Sequence, residues 1–181
     1  MRVREFTSVV SSLSNWSMAH LDRVTATLRA HEMLGTGGRG PHAPDITREQ
    51  AARILIALGS EANPALAAEA VKTYSALEPV GKNFLWKRPF GDALAHLLGD
   101  PYVSLAVHYV TIDQATPPRS LITWKGLKGT IKETIYLPSG LDGSEGVCPS
   151  YRSVTYVGVM IHKLCNDLDD PHDRYVKDRD A

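Results

Sequence analysis

The sequence predicts an α+β fold: an N-terminal helical bundle containing a helix-turn-helix, then a small antiparallel β-meander with a closing helix. Three observations predict it. Apolar residues recur at helical spacing through most of the first hundred positions. Val- and Tyr-rich alternation with short links replaces that spacing after residue 100. The last apolar segment, Val159 to Leu168, returns to a helical pattern before a charged end.

The elements follow in order. From Arg4 to Leu13, the residues Phe6, Val9, Val10 and Leu13 lie one face apart on a helix, and Ser14-Asn15 offers turn and cap chemistry. A second helix from Ser17 to Met33 carries the stripe Met18, Leu21, Val24 and Leu28, with Gly35 as its stop. The loop from Gly35 to Pro44 is too rich in Gly and Pro for regular structure. Thr47 with Gln50 forms a capping box for a third helix whose inward face is Ala51, Ile54, Leu55 and Leu58, ended by Gly59. Asn63-Pro64 opens a fourth helix with Leu66, Ala70, Val71, Tyr74 and Leu77 inward, and Glu78-Pro79 breaks it. A short fifth helix spans Phe90 to Leu98.

Beyond it, Val103, Leu105, Val107 and Tyr109 alternate in a predicted strand from Tyr102 to Ile112. Ser120–Lys125 and Thr130–Leu137 form a hairpin about Gly126–Gly129, and a fourth strand covers Tyr151–Val157. The expected organisation is therefore a helical DNA-binding domain at 1–80, a connector with a short helix at 81–100, a sheet plus helix at 101–168 and a disordered tail at 169–181.

Composition narrows the function. The 181 residues carry 20 Lys+Arg and 20 Asp+Glu, so no strongly basic coat wraps the molecule. The charge is not even: residues 1–99 hold 11 basic and 9 acidic side chains and residues 100–181 hold 9 and 11, so the front half is +2 and the back half −2. No eighteen-residue apolar run predicts a membrane span. The polar start MRVREFTSVVSSL does not resemble a signal peptide, and a cytoplasmic protein is expected. Cys148 and Cys165 are too few for a disulfide framework, and His162 with Cys165 offers a metal only two ligands. The loop from Gly35 to Gly40 lacks the Gly-Lys-Ser/Thr ending of a phosphate-binding loop, and no Gly-x-Ser-x-Gly turn frames a nucleophile. No enzymatic activity, cofactor or metal is expected.

What remains points to nucleic acid. Arg39, in Gly37-Gly38-Arg39-Gly40-Pro41, resembles the short Gly-Arg-Pro core of hooks that place a guanidinium in a narrow minor groove. Ser17, His20, Arg23, Thr27 and Arg29 lie off the apolar stripe of the second helix, where a helix-turn-helix reads base edges and phosphates. Arg48 starts the third helix, next to N–H groups that favour anions. Lys82, Trp86, Lys87 and Arg88 mix bases with an aromatic, a pattern suited either to single strands or to a packed connector.

These residues also carry a family likeness. The opening helix Arg4–Leu13, a second helix ending in Leu28-Arg29-Ala30…Met33-Leu34, the Gly-Gly-Arg-Gly loop, and Ala43-Pro44-Asp45-Ile46-Thr47 leading into Ala51-Ala52-Arg53-Ile54-Leu55 resemble helix-turn-helix regulators of bacterial phages, prophages and gene transfer agents. The resemblance covers residues 1–77, with a weaker echo at Arg152-Ser153-Val154-Thr155…Gly158. It implies binding of double-stranded DNA and control of phage-type genes, with Arg39 and the second helix as contacts, and it transfers no catalytic residue. A homodimer is expected, its sheet half holding the partner copy or touching a co-regulator or RNA polymerase. The alternative is a phage structural or assembly protein that uses the same helices for protein contacts.

Overall fold

The computed structural model describes residues 1–35, 44–61, 63–81, 86–126, 129–142 and 152–169. Among them, seven α-helices and five strands form the mixed α+β architecture: α1 (Val3–Leu13), α2 (Met18–Ala30), α3 (Arg48–Ser60), α4 (Ala67–Ser75), β1 (Glu78–Val80), α5 (Phe90–Leu97), α6 (Pro101–Ala106), β2 (Val107–Asp113), β3 (Arg119–Lys125), β4 (Ile131–Leu137), β5 (Ser153–Val157) and α7 (Gly158–Asp169). The sheet order is β1-β4-β3-β2-β5, antiparallel throughout.

The centre is α3. Apolar residues surround this helix, and every residue from Ala51 to Ser60 except Arg53 is buried. A helix that is apolar all round needs neighbours on every side, and α2, α4, α5, β2 and β5 supply them. The capping box forms as the spacing predicts: Gln50 N–H donates to Thr47 Oγ1 at 3.3 Å and Thr47 N–H to Gln50 Oε1 at 3.1 Å. One hydrophobic cluster runs from Phe6 through α3 to Leu164, so helices and sheet share a core across residue 100.

Several elements differ from the sequence expectation, each for a physical reason. The alternation from Val103 to Tyr109 does not form one strand. Asp100 caps a helix instead, accepting from Tyr102 and Val103 N–H at 3.0 and 3.1 Å, with Pro101 in the first turn. The strand begins only at Val107, and a bulge between Val107 and Tyr109 turns Tyr109 to the outside. The break at Glu78-Pro79 is the edge strand β1, where a residue without an N–H is tolerated. The pattern is not a pure meander either, because β5 crosses to pair with β2 on the far side from β4. The fourth helix opens as a 3-10 turn at Pro64–Leu66, which leaves Leu66 exposed.

Two helix ends carry unexpected chemistry. Helix α2 stops at Ala30, before Gly35. Met33 N–H donates to Leu28 O at 2.9 Å and Glu32 N–H to Arg29 O at 3.0 Å, the paired bonds of a Schellman cap. Its left-handed position is Glu32, at φ 58°, where glycine is the usual occupant. Gly59 does not end α3 but lies inside it. A Cβ there would come within 2.6 Å of Ile112 Cδ1 on β2, so glycine lets helix and sheet approach.

Both give expected outcomes in urea unfolding. Glu32→Gly relieves the left-handed backbone and should stabilise the fold by about 1 kcal/mol. Gly59→Ala should destabilise it by about 1–3 kcal/mol through overpacking, despite the better helix propensity of alanine. Adding Ile112→Val should restore part of that loss.

Candidate nucleic-acid interface

Three serine hydroxyls build the approach to α2. Ser14 Oγ donates to Val10 O at 2.7 Å and accepts from Trp16 N–H at 3.3 Å. Ser11 Oγ donates to Trp16 O at 2.9 Å. Ser17 is the N-cap, its Oγ accepting from His20 N–H at 3.3 Å. Further along, Thr25 Oγ1 turns back to Asp22 O at 3.1 Å. The turn between α1 and α2 is thereby fixed, and Trp16 is held half-buried against the core.

His20 stacks on Trp16, with ring centroids 4.7 Å apart and planes 18° from parallel. The Arg152 guanidinium lies over the other ring system, its Cζ 5.9 Å from the Trp16 centroid. Arg152 comes from the residue before β5, and its carbonyl accepts from Gln114 N–H at 3.0 Å. Burial holds the His20 pKa below the ordinary 6.5, and the guanidiniums of Arg23 and Arg152 lower it further. The group of Trp16, His20, Arg23 and Arg152 thus joins the start of α2 to the sheet edge. Among the described residues neither arginine has a carboxylate partner; Arg23 Nε donates only to Ala19 O, at 3.2 Å.

The sequence-predicted contacts divide accordingly. His20, Arg23 and Thr27, at i, i+3 and i+7, share one flank of α2, and Arg23 is exposed while the other two are half-buried. Arg29 is also exposed, but its direction is about 120° from that of Arg23, on the flank of Asp22. Ser17 is exposed yet engaged as a cap. Arg48 is engaged as well: its side chain lies along Gly99 at the end of α5, where a Cβ would collide with it. Arg39 lies outside the described residues, as do Lys82, Cys148 and the segment 170–181. The structure therefore brings His20, Arg23 and Thr27 together and leaves Arg29 and Arg48 elsewhere.

Trp16 and Arg152 were missed by sequence reasoning. Trp16 sits in a turn outside the apolar stripes, and Arg152 is far away in the chain; the echo at Arg152-Ser153-Val154-Thr155 is the signal in the sequence that points to that region. Trp86 is a packed connector residue, edge-on to His96 at 4.6 Å with Arg88 Cζ 5.9 Å from its centroid.

One further chain of polar groups invites a catalytic reading. Ser104 Oγ is 2.8 Å from His162 Nδ1, and His162 Nε2 is 3.2 Å from Asn166 Nδ2. Ser104 donates to Pro101 O at 2.9 Å and is fully buried. With that proton committed, His162 Nδ1–H donates to Ser104 and Nε2 accepts from Asn166. Every group is filled and no substrate reaches the hydroxyl, so the chain fastens α6 to α7. Among the described residues, no group of three or more His, Cys, Asp and Glu is placed to hold a metal ion, and no helix is long and apolar enough to cross a membrane. No family model, curated protein or solved structure matches the chain.

The His20 environment has a pH consequence. A folded-state pKa below 6.5 favours the neutral ring, so its contribution to stability is complete above that value and is lost as pH falls through the lowered one. NMR titration should place the His20 midpoint below 6.5, and Arg152→Gln should move it upward. Urea unfolding at pH 7 and pH 5 should show a smaller loss of stability in Arg152→Gln than in the parent.

Proposed function

We propose that this protein is a sequence-specific DNA-binding regulator that meets duplex DNA with the His20–Arg23–Thr27 flank of α2, flanked by Arg152. One observation carries the reading. Two guanidiniums flank the His20 imidazole, Arg152 over the Trp16 indole on which His20 stacks and Arg23 one turn along α2, and neither has a carboxylate partner among the described residues. Two guanidiniums without a carboxylate partner favour a nearby anion. Phosphate oxygens are anions of the right geometry for guanidinium forks. A stacked aromatic beside them gives a rigid flat surface for a sugar or base edge.

In this reading Arg23 and Arg152 hold the backbone and Thr27 lies toward the groove, while His20, stacked on Trp16 with its Nε2 buried, backs the contact rather than reading a base. Ser17 supports the helix end as its cap. Arg39 is the auxiliary contact, by its Gly-rich setting in the sequence. Arg29 and Arg48 drop out as primary contacts. The resemblance of residues 1–77 to phage and gene-transfer-agent regulators adds the class of genes controlled. Binding as a dimer would place two copies of this flank on two half-sites, with a co-regulator or RNA polymerase as the protein target.

The test is fluorescence anisotropy with duplex DNA from phage-type promoters at several salt concentrations. Affinity should fall steeply with salt, as for any contact that releases counterions. Arg23→Ala and Arg152→Ala together should weaken binding at least about tenfold and flatten the log–log salt slope by about 2. Arg29→Ala should change it much less. Absence of binding at low salt, or a double variant that binds as well as the parent, would reject the reading in favour of an assembly protein.

A further inference from the structure

Five of the large apolar side chains that remain exposed lie on the adjoining elements α6, β2, β5 and α7. Tyr102 is 87% exposed, Val159 82% and Leu105 67%; Tyr109 and Val157 are each about half exposed. Tyr102 and Leu105 are one turn apart on α6, so they share a face. Tyr109 and Val157 are directly opposed across the β2–β5 ladder. Val159 follows Val157 by two residues, in the first turn of α7.

The backbone closes the gap between these pairs. Gly158 lies so near the Val107 carbonyl that any Cβ would collide with it. The start of α7 is therefore pressed on the junction where α6 becomes β2. The Ser104–His162–Asn166 chain locks α6 and α7 in that arrangement. The five residues thus lie on adjoining elements of one rigid frame, at the opposite end of β5 from Arg152.

We infer that this patch is the contact through which two copies of the chain associate. Taking about 200 Å² for a tyrosine side chain and about half that for Val or Leu, the five expose roughly 500 Å². That is most of the roughly 800 Å² that each partner contributes to a stable interface, and it lies at the upper end of what monomers leave bare. None of the five is charged, so a copy meets no like charge when the patch is placed against itself. A two-fold contact requires such self-complementarity, since each residue type must face the same surface on its partner. The two tyrosines add rigid area and hydroxyls able to hydrogen-bond. The inference shares the dimer with the proposed function and rests on it only there; it is read on free protein, so failure of DNA binding leaves it standing.

Sedimentation velocity of the full-length chain tests it, from about 1 to 100 µM, a range that brackets ordinary dimer affinities. The parent should sediment as two chains at the upper end. Leu105→Glu and Val159→Glu should each weaken association at least about tenfold, giving one 19.8 kDa chain. Both sites are exposed, so melting temperature and far-UV circular dichroism should match the parent. Tyr102→Arg serves as a third variant if either fails to fold. A parent that stays a single chain throughout would overturn the inference, and so would a dimer that all folded variants leave intact. A single chain that associates with lipid vesicles or only with a different protein would assign the patch to that occupant and overturn it equally.

Discussion

The structure depends on burying α3 from all sides. A helix with only one polar side chain between Ala51 and Ser60 cannot lie on a surface. It must be enclosed, and a helical layer alone does not enclose it: α2, α4 and α5 cover part of its circumference, and β2 and β5 cover the rest. The helical half and the sheet half are therefore energetically one object. Gly59 marks the tightest point of that contact, where the absence of a side chain lets Ile112 settle on the helix backbone. Removing the sheet would uncover the side of α3 on which Gly59 meets Ile112, a loss no single helix packing replaces.

Polar seams reinforce the same junction. Tyr156 on β5 sends its hydroxyl to Leu55 O at 2.7 Å, and Tyr74 on α4 sends its own to Asp113 O at 2.7 Å. Both phenols are held well above the ordinary value, Tyr156 by burial alone and Tyr74 by burial and then by Asp113, which pushes it up to about 12. The carboxylate of Asp113 is in turn bound by Arg119 at 2.8 Å. Each bond crosses from helix to sheet or pins a sheet end, so each selects one register among the many that apolar packing alone would tolerate.

Local chemistry was legible in the sequence, and long-range geometry was not. Thr47 and Gln50 announce the start of α3 because a capping box is written within four residues. Leu21, Val24 and Leu28 announce the buried side of α2 for the same reason. The strand at Tyr102 failed because alternation and helical spacing coincide over short apolar runs, and the decisive residue was the cap Asp100, outside the alternating stretch. The fate of Gly59 was hidden because its partner, Ile112, is more than fifty residues away. Half of the candidate interface was hidden for the same reason: His20 and Arg23 stand on one helix, whereas Arg152 lies more than a hundred residues along the chain and is brought to Trp16 by the tertiary fold.

That composite origin bears on how a chain of zero net charge would hold a polyanion. Among the described residues two guanidiniums flank His20, and Arg39 would be a third by its place in the sequence. Each neutralised phosphate adds a modest, salt-sensitive increment, so on the proposed reading one copy would engage too few to bind tightly. Joining two such sites multiplies their effect through effective concentration without any new contact to the ligand. A balanced overall charge then becomes an advantage, because long-range attraction to every stretch of nucleic acid is weak and discrimination rests on the spacing of paired sites. The apolar corner at α6 and α7 would supply that pairing from the end of the sheet farthest from Arg152, leaving both flanks open. Under this logic the sheet half contributes to recognition twice: Arg152 completes the site, and Tyr109 with Val157 fixes the distance to its twin.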